Sequence, residues 1–235
     1  MPTDELEAAD ILANGDVEIE MRMPYSSNAT YLVKVSKADH TVRAIYKPLR
    51  GERPLWDFAP GLHRREVAAY RLAVAMGFDF VPLTLLREGP LGEGSMQLLV
   101  EADFEQHYFT LFESREDLHD RFREIALFDI VANNTDRKSG HVLLDHHGRV
   151  WAIDHGLCLA ADFKLRTVIW EFGGEEIPEA MLRSVERVAE SLPLDVSSLL
   201  DSDEVAAFSE RVAWLLEHRR FPVDPSGRRY PWPLV

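Results

Sequence analysis

Two aspartates eighteen positions apart, Asp136 and Asp154, bound the stretch with the clearest chemical content, LFDIVANNTDRKSGHVLLDHHGRVWAIDHGL, residues 127–157. Between them lie two short apolar runs, separated by Asp145-His146-His147-Gly148. That pattern predicts a β-hairpin, which folds back and brings both carboxylates to one edge of a cleft. Acids so placed suit phosphoryl transfer: one orients a nucleophilic hydroxyl, and the other holds Mg2+ on nucleotide phosphates. Asp136 is the expected acceptor-orienting group, although Asn133-Asn134-Thr135-Asp136 also reads as a turn capping the preceding helix. Arg137 has three readings: it fixes Asp136, counters phosphate charge, or is a solvent-exposed loop arginine. Asp154 follows Val150-Trp151-Ala152-Ile153, which should bury it at a strand end. A bare carboxylate there needs a cation or donors, and the metal ion is favoured over backbone hydrogen bonds.

Those residues need elements to position them. Residues 4–13 carry a short helical stripe ended by Asn14-Gly15. From Val17 the period changes to two, and strands are predicted over 17–23, 30–35 and 41–47. Lys47 ends the third of these and precedes Pro48, so its ammonium is expected to project into the cleft toward the α/β-phosphates; the plain alternative is an edge-strand lysine. The segment 49–62, with Gly51, Pro54, Pro60 and Gly61, predicts a loop anchored by Trp56 and Phe58. HRREVAAYRLAVAMG then predicts a helix with Val67, Tyr70, Ala73 and Val74 on one face, stopped by Gly77. Strands follow over 80–86 and 96–101 around a Glu88–Gly94 turn. Beyond Glu101 the pattern turns helical, over 117–132, 178–192 and 203–219, with Asp129 following an apolar stripe. The proline-rich tail FPVDPSGRRYPWPLV is expected to be irregular but pinned by its aromatics. A strand-rich part, residues 1–101, thus meets a helix-rich part, residues 102–235, and a cleft at the junction is the natural ligand site.

The order of these features resembles the phosphatidylinositol 3-/4-kinase superfamily, including type II phosphatidylinositol 4-kinases and HipA-like kinases. Asn134-Thr-Asp-Arg137, Val142-Leu-Leu144 and Ile153-Asp-His-Gly156 resemble its catalytic and metal-binding loops, and Arg65-Glu-Val-Ala-Ala-Tyr70 resembles a helix found in those kinases. The matches are dispersed over residues 24–157, as in a small bacterial-type single-domain member. The resemblance implies a two-lobed α+β protein-kinase-like fold, with a strand-rich N-lobe and a helical C-lobe bearing a catalytic β-hairpin. It implies ATP and Mg2+ as cofactors. Glu66 would pair with Lys47, with Glu18, Glu20 and Glu52 as other possible partners and a dipole-stabilising helix acid as the plain alternative. Ser26, Ser27 and Asn28 would form a phosphate-covering loop, and Gln97–Glu101 the linker beside adenine, with Glu101 a cofactor contact. One departure stands out: the family places asparagine five residues after the catalytic aspartate, and this chain has His141. Imidazole is a poor substitute for an amide oxygen on Mg2+. With His141 at this metal-ligand position, either one metal suffices, another group such as Asn134 helps, or phosphotransfer is weakened; His141 reads equally as a packing residue at a strand start.

Composition narrows the partners. A formal charge of −14 over 235 residues excludes general nucleic-acid binding and broad adhesion to anionic membranes, leaving only local basic patches at His63-Arg64-Arg65 and Arg228-Arg229. The single cysteine, Cys158, allows no internal disulfide and is expected to be buried and unreactive. His146 and His147 should be solvated, and His107, His119 and His218 show no metal-ligand spacing. The acidic N-terminus has no signal-peptide pattern and no run reaches membrane-spanning length, so a cytoplasmic protein is expected. The functional expectation is an ATP- and Mg2+-dependent kinase acting on a hydroxyl acceptor, whether protein, small molecule or lipid. Its rivals are a pseudokinase that senses nucleotide and a nucleotidyl transferase on the same fold.

Overall fold

Alternation of apolar and polar residues builds the first layer. The computed structural model describes residues 3–24, 26 and 28–235, with Thr3 and Asp4 as backbone only. Helix α1 (Thr3–Asn14) is followed by β1 (Asp16–Arg22), β2 (Tyr31–Lys37) and β3 (His40–Pro48). Helix α2 (Leu62–Met76) separates them from β4 (Thr84–Gly89) and β5 (Gly92–Leu98), and the five strands form one antiparallel sheet in the order β1-β2-β3-β5-β4. Val33, Val35, Ala44, Tyr46 and Met96 pack under Ile11 and Leu12 of α1. The period-2 pleat therefore turns Ile45 and Lys47 to the opposite face, where both line a cleft with Gln97.

The second layer is helical. Helices α3 (Tyr108–Ser114) and α4 (His119–Val131) precede a two-stranded hairpin, β6 (Val142–Leu144) and β7 (Val150–Ala152). Helices α5 (Glu179–Ala189), α6 (Leu194–Ser197) and α7 (Ser202–His218) complete the body. One apolar core runs through α2, α4, α5 and α7, including Leu72, Phe122, Phe128, Leu182 and Phe208. Among the described residues no helix is long and apolar enough to cross a membrane.

Several expectations need correction. Helix α2 is buried around most of its circumference, including His63, Arg65 and Glu66, while Val74 is exposed. The helix serves both layers, so the single apolar face read from periodicity is too narrow. The expected basic patch is likewise mostly interior: Arg65 pairs with Glu204 of α7 and donates to the Cys158 carbonyl at 2.7 Å. Strands β4 and β5 extend into the predicted Glu88–Gly94 turn, pairing Glu88 with Glu93 and Gly89 with Gly92. Helix α3 has no counterpart in the periodicity reading.

Candidate active site

The hairpin is the seed of the site. Asp145 accepts the His147 and Arg149 amides at 2.8 and 2.9 Å, fixing the turn, and Val142 pairs with Ala152. Ile153 N–H donates to the His141 carbonyl at 2.9 Å. Both flanks of the hairpin thereby reach one cleft of about 350 Å³, where Asp136 and Asp154 face Lys47 and Glu66. Asp154 has φ +60, a left-handed conformation that costs a non-glycine residue free energy and concentrates at functional sites.

Lys47 is the hub. Its ammonium hydrogen-bonds Glu66 Oε1 and lies 2.7 Å from Asp154 Oδ1. Glu66 is buried, and its second oxygen accepts the His155 amide at 3.0 Å. A Cβ at Gly156 would stand 3.2 Å from Glu66 Oε1, so the carboxylate would have to give by a few tenths of an ångström. Asp154 differs from Glu66 in being 47% exposed, with an open side toward the cleft. The Lys47 charge holds the Asp154 carboxyl well below its ordinary value, although burial opposes this. Burial alone would make Lys47 release its proton more readily, but Asp154 and Glu66 reverse that and hold its pKa above the ordinary value.

Asp136 lines the cleft, with Lys138 Nζ 3.2 Å from Oδ2. Burial lifts its carboxyl above the ordinary value while Lys138 pulls the other way. Its amide donates to Asn134 Oδ1 at 3.1 Å. His141 Nε2 lies 3.4 Å from Asp154 Oδ2, and His141 Nδ1 accepts the Lys138 amide at 3.4 Å. That amide places the proton of the neutral ring on Nε2, the nitrogen on the Asp154 side, without a hydrogen bond to that carboxylate. Burial, helped by the Arg137 and Lys138 charges, lowers its pKa to about 4 against the pull of Asp154.

Arg137 belongs behind the cleft. It is fully buried, and Asp129 holds its Nε and Nη2 at 2.9 Å. It donates also to the Ile153 carbonyl at 2.9 Å and to His155 Nε2 at 2.7 Å. It makes no hydrogen bond to Asp136 and does not line the cleft. This corrects all three sequence readings: with its donors committed to Asp129 and the backbone, the guanidinium acts on the loop framework. Asn134 is equally interior, donating to Asp129 Oδ1 at 2.9 Å, so it brings no oxygen to a cleft-bound ion.

The remaining expected residues divide. Ser26 and Asn28 line the cleft, Ser26 Oγ lies 2.8 Å from Thr30 Oγ1, and Asn28 Oδ1 accepts the Arg53 amide at 2.9 Å. Ser27 lies outside the described residues. In the linker, Leu98, Leu99 and Val100 line the cleft, whereas Glu101 is exposed and does not. The chain leaves the β5 ladder at Leu98 and turns out to solvent at Glu101, which corrects its assignment as a cofactor contact. Glu52, named in the sequence only as a possible Lys47 partner, lines the cleft, and sequence reading missed His63 as a cleft residue; a histidine in the first turn of a helix was the available signal.

Among the described residues no group of three or more His, Cys, Asp and Glu side chains is arranged to hold a metal unaided. An ion would therefore share its coordination with phosphate oxygens. Asp136 and Asp154 offer the hard oxygen donors Mg2+ takes alongside phosphate, and they fit it. His141, with its Nε2 proton toward Asp154, does not.

A five-stranded antiparallel sheet over a helical body, with this cleft between them, defines a protein-kinase-like fold. Solved structures agree: the Helicobacter pylori proinflammatory kinase CtkA matches with TM-score 0.55 at 11% identity, covering 89% of this chain and 94% of that one. The Golgi casein kinase matches with TM-score 0.54 at 14% identity, covering 92% and 78%. No family model matches the chain. It is 34% identical to Protein Rv2133c of Mycobacterium tuberculosis, over 95% of this chain and 94% of that protein, and it belongs to the same family. A phosphatidylinositol 4-kinase gamma 4 of Oryza sativa is 29% identical over 68% of this chain, which spans only 38% of that protein's length.

Proposed function

We propose that the chain is an ATP- and Mg2+-dependent phosphotransferase acting on a hydroxyl acceptor, built as a nucleotide-binding N-lobe to about Glu101 and a catalytic C-lobe beyond it. One observation carries this reading: Lys47 spans a buried glutamate and a half-exposed aspartate in a cleft between sheet and helices. Glu66 holds the lysine from behind, so Lys47 can exchange Asp154 for the α/β-phosphates without losing its anchor. Asp154 would hold Mg2+, which neutralises charge on the β- and γ-phosphates when bound. Asp136 orients the acceptor hydroxyl and takes its proton. Lys138 beside it offers a positive charge to the transferring group. Arg137 fixes the loop through Asp129 and the Ile153 carbonyl and touches no substrate.

The likeness to a phosphatidylinositol 4-kinase supports the wider superfamily and makes an inositol lipid one acceptor class. A protein or small-molecule acceptor suits the −14 charge better. The test is ADP release from ATP in the presence of Mg2+, with Asp136→Asn abolishing it. His141 favours a second reading, a nucleotide-sensing module with little turnover. ATP-dependent thermal stabilisation without ADP release would select that module, and a nucleotide mass added to a protein target would select nucleotidyl transfer.

A further inference from the structure

His63 is buried at 1% exposure, and both its ring nitrogens face carboxylates: Nδ1 lies 2.8 Å from Glu52 Oε1 and Nε2 lies 3.0 Å from Glu93 Oε1. Neither nitrogen is left for a substrate. The cluster instead joins three pieces of the cleft roof. Glu52 accepts the Gly61 and His63 amides at 2.8 and 2.9 Å, capping the start of α2. Glu93 stands on β5 beside the β4–β5 turn and also holds Arg64 Nη2 at 3.0 Å. The segment around Glu52 in turn carries Asn28 and Ala29: Ala29 N–H donates to the Gly51 carbonyl at 2.8 Å, and Arg53 N–H to Asn28 Oδ1 at 2.9 Å. The approach is close enough that a Cβ on Gly51 would stand 2.6 Å from the Ala29 carbonyl. Glu66 follows His63 by three residues on the same helix.

We propose that His63, clamped between Glu52 and Glu93, is a positioning residue that ties the cleft-lining segment Asn28–Thr30 to the helix carrying Glu66, and so sets nucleotide affinity. The inference rests on reading the Lys47 cleft as the nucleotide site. Two facing carboxylates accept hydrogen bonds and donate none, so the clamp closes fully only when both ring nitrogens carry protons. The charged groups facing His63 are Glu52 from the loop and Glu93 from β5, and Glu93 is held in turn by Arg64 of the same helix. Burial opposes the imidazolium, but Glu52 and Glu93 outweigh it and raise the His63 pKa above 6.5. A raised histidine pKa keeps its contribution below the ordinary value and loses it as pH rises through the folded one. Nucleotide affinity should therefore fall on the alkaline side.

The experiment follows ATP binding in Mg2+ by calorimetry from pH 6 to 9.5, with the His63 ring titrated by NMR in the same samples. Wild-type affinity is expected to fall about five- to tenfold as His63 deprotonates. His63→Gln should bind weakly at every pH with a flat profile. His63→Arg, charged throughout, should recover affinity and keep it at high pH. Circular dichroism at each pH confirms that the variants remain folded. Affinity that ignores the His63 titration, or a His63→Gln variant matching wild type, would overturn the proposal and leave the cleft reading intact. Absence of ATP binding at every pH would overturn the nucleotide reading. Hydrogen exchange of the Gly61–Glu66 amides across the same range then decides the clamp: an unchanged rate through the His63 titration overturns it.

Discussion

Two clusters of charge stand back to back around the hairpin, and they solve different problems. Behind it, Arg137 and Asp129 are both fully buried, and the guanidinium is shared among Asp129, the Ile153 carbonyl and His155. In front, Lys47 is also paired twice, but Asp154 keeps an open side toward the cleft. A closed ion pair fixes geometry, because removing either partner strands a buried charge. An open one can trade a partner for a ligand. Under the proposed function, the difference assigns ligand exchange to Lys47 and Asp154 and rigidity to Arg137 and Asp129.

Substitution should separate the two clusters. Arg137→Met leaves Asp129 unpaired, and urea denaturation should record a loss of about 3–5 kcal/mol; a change under 1 kcal/mol would break the contrast. Asp154→Asn should leave urea stability nearly intact while lowering ADP release by about 10²–10³-fold. A comparable stability loss in both variants would make the front cluster structural too. Lys47→Met should weaken ATP binding in Mg2+ by about tenfold, measured by calorimetry. His141→Asn should change least: it supplies the amide oxygen Mg2+ accepts and should raise Mg2+-supported turnover a few-fold. A fall in turnover would instead show that the His141 ring beside Asp154 is needed.

Much of the front cluster is legible in sequence because its signals are local. Lys47 ends an apolar strand, Asp136 sits in a turn, and Asp154 closes a hairpin whose register follows from two apolar runs. The back cluster is legible only by halves. Asp129 is visible as an acid following an apolar stripe, yet nothing local names Arg137 as its partner. The loop arginine reads as exposed until α4 and the hairpin close over it. His63 and Arg65 fail for a related reason: a basic triplet at a helix start looks solvated, and its carboxylate partners, Glu52, Glu93 and Glu204, come from distant segments. Glu101 shows the converse limit, since counting along a linker cannot say where the chain turns out of the cleft. Helix α3 went unseen because a single short turn of apolar residues carries too few repeats for a period.

The account stands most directly on what Lys47 does when nucleotide arrives, which a structure with Mg2+ and a non-hydrolysable ATP analogue reads. The predicted result keeps Lys47 on Glu66, moves its other bond from Asp154 to phosphate, and places the metal on Asp154 with His141 outside its coordination. A nucleotide bound elsewhere, or one in the cleft with the Lys47–Asp154 bond unbroken, would contradict it.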